Sequence, residues 1–263
     1  MNRLSCVINV LLKSAVERVR LYKTDLALYL VAWCGFTALL MTFWTSVLAN
    51  FEIVTFTRGE VLAFIGMYYI AWGIVSFFWG VRDLHVYIVD GTIDVYLTKP
   101  INPVFLVILT KSHAGVVLEI LTGVILLLIS IPLLPNPITT KNIFLSIIFL
   151  SGGVALYALI YGALSMLAFF VGRMEHTIEL IDYAYEYTYY PLNFLPKGLR
   201  SILTWALPLA FLVTLPTLSL LGKLSTKKLI ISIIGEGILL IVWFGIFVAV
   251  FKKGLEKYTS AGG

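Results

Sequence analysis

Five stretches of about twenty or more residues run with almost no interruption by charge: 26–49, 61–81, 114–134, 143–171 and 229–251. Each has the roughly twenty helical residues needed to cross a hydrocarbon core about 30 Å thick. A soluble protein of this length would carry shorter apolar stripes at helical spacing instead. Composition agrees, since 60% of the residues are hydrophobic and 13% charged, against roughly 25% charged in soluble domains. An all-α integral membrane fold is therefore expected.

The formal net charge of +5 does not point to nucleic acid. The basic residues sit at the ends of the apolar runs, as membrane orientation requires, and form no stripe interleaved with aromatics. Cys6 and Cys34 have neither the spacing nor the setting of a disulfide or metal pair and read as small hydrophobes. The first run begins near Leu26 and is too long for a signal-peptide core, so the N-terminus is expected to be retained.

Ahead of that run, Leu4, Val7, Ile8, Leu11, Leu12, Ala15, Val16 and Val19 repeat on one helical face, with Lys13, Glu17 and Arg20 opposite. The pattern predicts an interfacial helix over residues 3–23, its basic face toward anionic headgroups; packing against a partner protein would give the same periodicity. Further on, 199–221 has the length of a span but contains Pro208 and Pro216. Each proline removes a backbone donor and bends a helix, so one straight crossing is not expected there.

With a cytoplasmic N-terminus and residues 174–191 as the fifth span, Arg58, Lys141, Lys197, Arg200, Lys223, Lys227 and Lys228 lie outside and the other twelve basic residues lie inside. Taking 199–221 as the fifth span instead moves Lys197 and Arg200 inward, giving fourteen against five. Charge bias alone favours the latter, and both versions keep the two termini cytoplasmic. No internal repeat suggests an inverted-repeat transporter.

The longest polar stretch between confident spans is 82–103, which reads as two short helices hinged at Gly91 and stopped at Pro100. Its run Asp90-Gly91-Thr92-Ile93-Asp94-Val95-Tyr96-Leu97-Thr98-Lys99-Pro100-Ile101-Asn102-Pro103 resembles the loop after the second span of type-2 ABC exporter permeases. It is most similar to the branch reading Gly-acidic-Leu-Asp-x-x-Leu-x-Arg-Pro. Lys99 stands where arginine is commoner, which keeps the charge but not the planar donor fork. The resemblance implies a coupling helix in this loop that docks on a separate ATPase, with Asp83, Asp90, Gly91, Asp94 and Lys99 as coupling residues. An ordinary polar connector is the plainer alternative.

A second run, Tyr189-Tyr190-Pro191-Leu192-Asn193-Phe194-Leu195-Pro196-Lys197-Gly198-Leu199-Arg200 followed by Trp205-Ala206-Leu207-Pro208, resembles the signature that closes the family's fifth span and opens a re-entrant helix pair on the outer side. This implies six spans, 26–49, 61–81, 104–134, 143–171, 174–191 and 229–251, with a coupling loop at 82–103 and a re-entrant pair at 196–221, all in one permease domain over 1–263. It overrides the charge count, and Pro208 and Pro216 argue the same way.

In that topology Glu175, Glu179, Asp182 and Glu186 share one face of a membrane helix, beside Tyr183, Tyr187 and Tyr190. An acid facing lipid near the bilayer centre costs roughly 2.5 to 3.5 kcal/mol, so three approach ~10 kcal/mol. The face must line a hydrated path, pair with a base such as Arg173, or be protonated; a solvated cytoplasmic surface helix is the alternative. Glu179, Asp182, Tyr183, Glu186 and Tyr187 are the substrate-path candidates. His176 and Glu179 have a metal-compatible spacing but lack further ligands. Glu119 and Glu236, inside the third and sixth spans, are functional candidates or helix-to-helix hydrogen-bonding groups.

No Gly-x-x-x-x-Gly-Lys-Ser/Thr occurs, because Gly222-Lys223-Leu224-Ser225 lacks the loop, and neither His-Glu-x-x-His nor Gly-x-Ser-x-Gly is present. The expected function is a catalytically silent exporter permease in the cell membrane, paired with a second permease of the same or similar sequence. ATP and magnesium would be bound by the ATPase partner, and no cofactor by this chain. A proton- or cation-coupled secondary transporter using the acidic face is the competing reading, and an intramembrane enzyme, lacking a paired nucleophile and base, is a weaker one.

Overall fold

The computed structural model describes residues 23–50, 56–99, 102–111 and 115–258, and these are helical with no strand among them. The interfacial helix expected over 3–23 falls outside the described residues but for its last, as does the stop at Pro100.

In chain order the helices are α1 (Lys23–Asn50), α2 (Arg58–Phe77), α3 (Trp79–Arg82), α4 (Leu84–Val89), α5 (Ile93–Leu97), α6 (Pro103–Lys111), α7 (Gly115–Ser130), α8 (Thr140–Met166), α9 (Ala168–Val171), α10 (Glu175–Glu186), α11 (Lys197–Trp205), α12 (Thr214–Leu220) and α13 (Thr226–Lys257). Among the described residues four stretches are long and apolar enough to cross a membrane: α2, 116–133 covering most of α7, 140–171 covering α8 and α9, and α13. The bent pair α11 with 209–220 makes a fifth if counted as one span. Within α1 the apolar stretch is Val31–Val47.

Ends differ from the hydropathy pattern where capping decides them. The second span starts at Arg58 and not at Val61, because Thr57 and Glu60 form a reciprocal capping box that satisfies two otherwise unpaired amides. The last helix starts at Thr226, where the Ser225 side chain accepts from the Lys228 amide, and runs to Lys257, so its charged ends lie beyond the 229–251 run.

α2 and α8 form the centre. Most of α2 is buried, whereas almost none of α13 is, and its Ile234, Ile241 and Phe244 face outward. A hydrophobic helix surface left open on this scale is what lipid contact requires. α2 and α7 run antiparallel with their backbones touching, because Gly59, Gly66 and Gly73, seven residues apart, meet Leu133, Gly123 and Ile120 in turn. A Cβ at Gly66 would lie 2.8 Å from the Gly123 carbonyl oxygen, and one at Gly123 would lie 2.5 Å from that of Gly66. Small residues at a membrane helix crossing permit this approach. Gly66→Ala or Gly123→Ala must push the helices apart, at about 1–3 kcal/mol, and should lower the melting temperature in detergent by roughly 5 °C.

α11 and the following 209–220 segment are bent by 78°. Lys197 at the start of α11 and Lys223 just past α12 line one cavity, so both ends of this stretch lie at the same end of the bundle. A straight helix over these residues would separate its ends by about 40 Å.

Candidate functional site

At the other end of the bundle α3, α4 and α5 form a knuckle. α4 ends at Val89 with Asp90 as its C-cap, Gly91 takes φ +72°, and α5 begins at Ile93. Positive φ costs a side-chain-bearing residue about 1–2 kcal/mol, so glycine suits this reversal. Leu84, Ile88 and Ile93 bury the inner faces of both helices, and the rings of Tyr87 and Tyr96, 6.1 Å apart, brace them across the turn. The outer surface shows Asp90, Thr92, Val95, Thr98 and Lys99, with Val95 57% exposed.

The five coupling candidates therefore separate. Asp90 and Lys99 are exposed, Gly91 is the hinge, and Asp94 is half-buried in the first turn of α5. Asp83 is half-buried and pairs with its chain neighbour, its Oδ1 accepting from Arg82 Nη1 at 2.7 Å.

The acidic face of α10 also divides. Glu179 and Glu186 are exposed, and Tyr183 and Tyr187 are 63% and 44% exposed. Tyr183, Glu186 and Tyr187 line a cavity of about 530 Å³ with Phe36 and Leu40 of α1. Asp182 is absent from that lining and lies in a network. It accepts from Tyr161 Oη at 2.6 Å, from Arg82 Nε at 3.1 and 3.3 Å, and from Arg82 Nη2 at 2.5 Å. Arg173, the base suggested by sequence proximity, is exposed and forms no ion pair among the described residues. Glu179 has only an exposed contact with His176 Nδ1 at 3.5 Å.

Arg82 is thus the residue that joins the knuckle to α10, and sequence reasoning placed it only as the first residue of the loop. Its guanidinium bridges Asp83 and Asp182, Ser165 Oγ of α8 donates to its carbonyl oxygen, and Trp79 lies 4.9 Å beneath it. Burial works against its charge, but the hydrogen bonds and charge of Asp182, then of Asp83, outweigh that and raise its pKa above the ordinary value. The fork geometry of arginine allows such two-sided bridging, which lysine cannot reproduce. An arginine just after an apolar run and an aspartate on an apolar-flanked helix are a signal, but their separation of 100 residues hides the pairing.

The intramembrane acids are used differently. Glu119 accepts from Ser76 Oγ at 2.9 Å, joining α7 to α2. Glu236 of α13 is buried beside Gly152 of α8, and its Oε1 has no hydrogen-bond partner among the described residues. No group of three or more metal-ligating side chains occurs among the described residues.

No curated protein and no solved structure gives a match to this chain. A family model described as ABC-2 family transporter protein matches residues 34–262. That range holds the knuckle, the acidic helix and every span-length helix except the start of α1. Members of such families are multi-pass membrane subunits that work with a separate ATPase and are not ATPases themselves. The chain belongs to the ABC-2 family of transporter proteins, as a membrane-spanning permease.

Proposed function

We propose that this permease works as an exporter subunit in the cell membrane, paired with a second permease and driven by two ATPase subunits whose closure is received at the 84–97 knuckle. The observation that carries the reading is Arg82, which links that knuckle to α10 through Asp182. A displacement of the knuckle on ATPase closure then reaches α10 through two side chains, without a continuous helix. Only a substrate with different affinity for the two resulting states is moved in a direction.

In this reading both termini are cytoplasmic, 174–191 is the fifth span, and 196–221 is re-entrant from the outside. Supporting it, Lys197 and Lys223 lie at one end of the bundle, opposite Arg82. α10 with its 3-10 extension covers 175–189, about 22 Å, so a locally thin or hydrated bilayer accompanies it. The groove of Tyr183, Glu186 and Tyr187 with Phe36 and Leu40 suits a cationic amphiphile, offering one carboxylate and several ring faces. The same helix offers no proton relay, because Asp182 is held by Arg82 while Glu179 and Glu186 face outward. This argues against the secondary transporter.

The test of the topology is cysteine labelling in intact cells. Asn193→Cys and Lys197→Cys should react with a membrane-impermeant maleimide added outside; reaction only after permeabilisation would sink the fifth-span assignment. For the groove, Glu186→Gln with Tyr183→Ala should weaken a cationic substrate about tenfold while leaving an ATP-driven flux for some substrate, measured in vesicles with the ATPase present. Unchanged affinity across a panel of cationic substrates would remove the groove from the path.

A further inference from the structure

At the end of the bundle opposite the knuckle, a cavity of about 560 Å³ lies between α11, α12 and the start of α13. Its lining contains Lys197, Arg200, Lys223 and Lys228 and, among the described residues, no carboxylate. Lys223 is occupied, since its Nζ lies 2.6 Å from Oε2 of Glu60, which is itself 2% exposed. Lys197, Arg200 and Lys228 form no ion pair among the described residues. The same lining includes the apolar and aromatic side chains Phe56, Trp205, Leu215 and Ile231, together with hydroxyls such as Ser201 and Thr204.

Three cations that share one cavity lining without an ion pair among the described residues repel one another. Arg200 is a further cost, being half-buried. Positive charge at the outer end of a membrane bundle also runs against the usual bias toward the cytoplasm. A ligand that carries an oxyanion above an apolar body would offset both costs. Arg200 would take it through its fork, Lys197 and Lys228 as point charges, and the aromatic wall would hold the apolar part. We propose that this cavity is a binding site for an anionic amphiphile whose phosphate or comparable oxyanion is held by Lys197, Arg200 and Lys228.

The site is separate from the groove beside α10 and is independent of the ATPase. Only its placement on the outer face rests on the topology proposed above. The oxyanion has two sources, the headgroup of an anionic phospholipid or a free anion from solution.

The experiment uses the full-length chain in nanodiscs, with Trp205, which is 39% exposed, as reporter. Its signal is taken as the difference from the Trp205→Phe chain. Brominated phosphatidylglycerol should quench that difference signal more than brominated phosphatidylcholine at equal bromine content. Lys197→Gln with Lys228→Gln should weaken the preference about tenfold or more, the loss expected for two charge-assisted contacts. Both positions are exposed, so this variant keeps the test valid if Arg200→Gln does not fold. In a second arm, inorganic phosphate is titrated into phosphatidylcholine nanodiscs. A preference for phosphatidylglycerol without a phosphate response assigns the lipid headgroup, and a saturable phosphate response lost in the same variant assigns a free anion. Equal quenching by both lipids with no phosphate response overturns the site. Because no ATPase is present, that result leaves the coupling reading untouched, and a wrong topology leaves this binding result untouched.

Discussion

Arg82→Gln is expected to lower ATP-driven transport by about tenfold to a hundredfold while the ATPase still assembles with the permease. The variant keeps the knuckle's outer surface, since Asp90, Val95 and Lys99 are not contacted by the guanidinium, and removes the bridge to α10. Coupling energies between sites are typically 1–3 kcal/mol, or ~5–150-fold. The side chains of Arg82 and Asp182 are 20% and 30% exposed, so solvent screens part of the pair's attraction and the effect on stability should be smaller than the effect on coupling. Asp182→Asn should reproduce the defect, and the double variant should be no worse than either single one, because both act through one contact. Arg82→Lys should rescue only in part, since an ammonium cannot span Asp83 and Asp182 as the fork does. The measurement is transport per ATP hydrolysed in vesicles. Additive losses, or wild-type coupling in Arg82→Gln, would show that the signal travels by another route.

Deleting 90–94 should abolish capture of the ATPase altogether, and Gly91→Val should weaken it by about a hundredfold. The deletion removes Asp90, the hinge and the first turn of α5, so the outward surface no longer exists. Gly91→Val keeps the length but forces a β-branched residue into φ +72°, so the angle between α4 and α5 must change. A docking surface displaced by even a small angle loses its central contacts, which carry most of the binding energy. Both variants should insert and remain monodisperse, because the spans lie elsewhere. Copurification and surface plasmon resonance against the ATPase read the effect. Full assembly by both variants would reduce the knuckle to a connector. Separately, the pure chain should hydrolyse no ATP, for want of a phosphate-cradling loop.

What the sequence made legible were features of short range. Apolar run length marked α2, α8 and α13, and Gly91 between two short apolar patterns marked the turn between α4 and α5. Pro208 marked a break, and the chain does bend by 78° between α11 and the next segment. Helix ends were less legible, because Thr57 with Glu60 and the Ser225 cap extend helices past their apolar residues. The acidic face was legible as a periodicity, but which acid turns inward was not. Ile178 and Tyr185 bury one side of α10, and Asp182, nearest that side, is the acid that reaches Arg82. That outcome depends on a tertiary approach from residues 82 and 161, which no local spacing encodes.

The glycines at 59, 66 and 73 limit how the permease can change shape. With glycine meeting its neighbour at three successive levels, at Leu133, Gly123 and Ile120, α2 and α7 are interlocked at close range. Sliding one past the other by a residue would drive a bulky neighbour into a carbonyl, so the two form a single girder. The compliance needed for a transport cycle must then lie where helices are interrupted: at Phe78 between α2 and α3, and at Gly172, whose φ of +77° separates α9 from α10. Those two joints flank the Arg82–Asp182 contact in sequence, one before each partner. The moving part is thereby confined to the knuckle and α10, swinging against a frame that keeps its form.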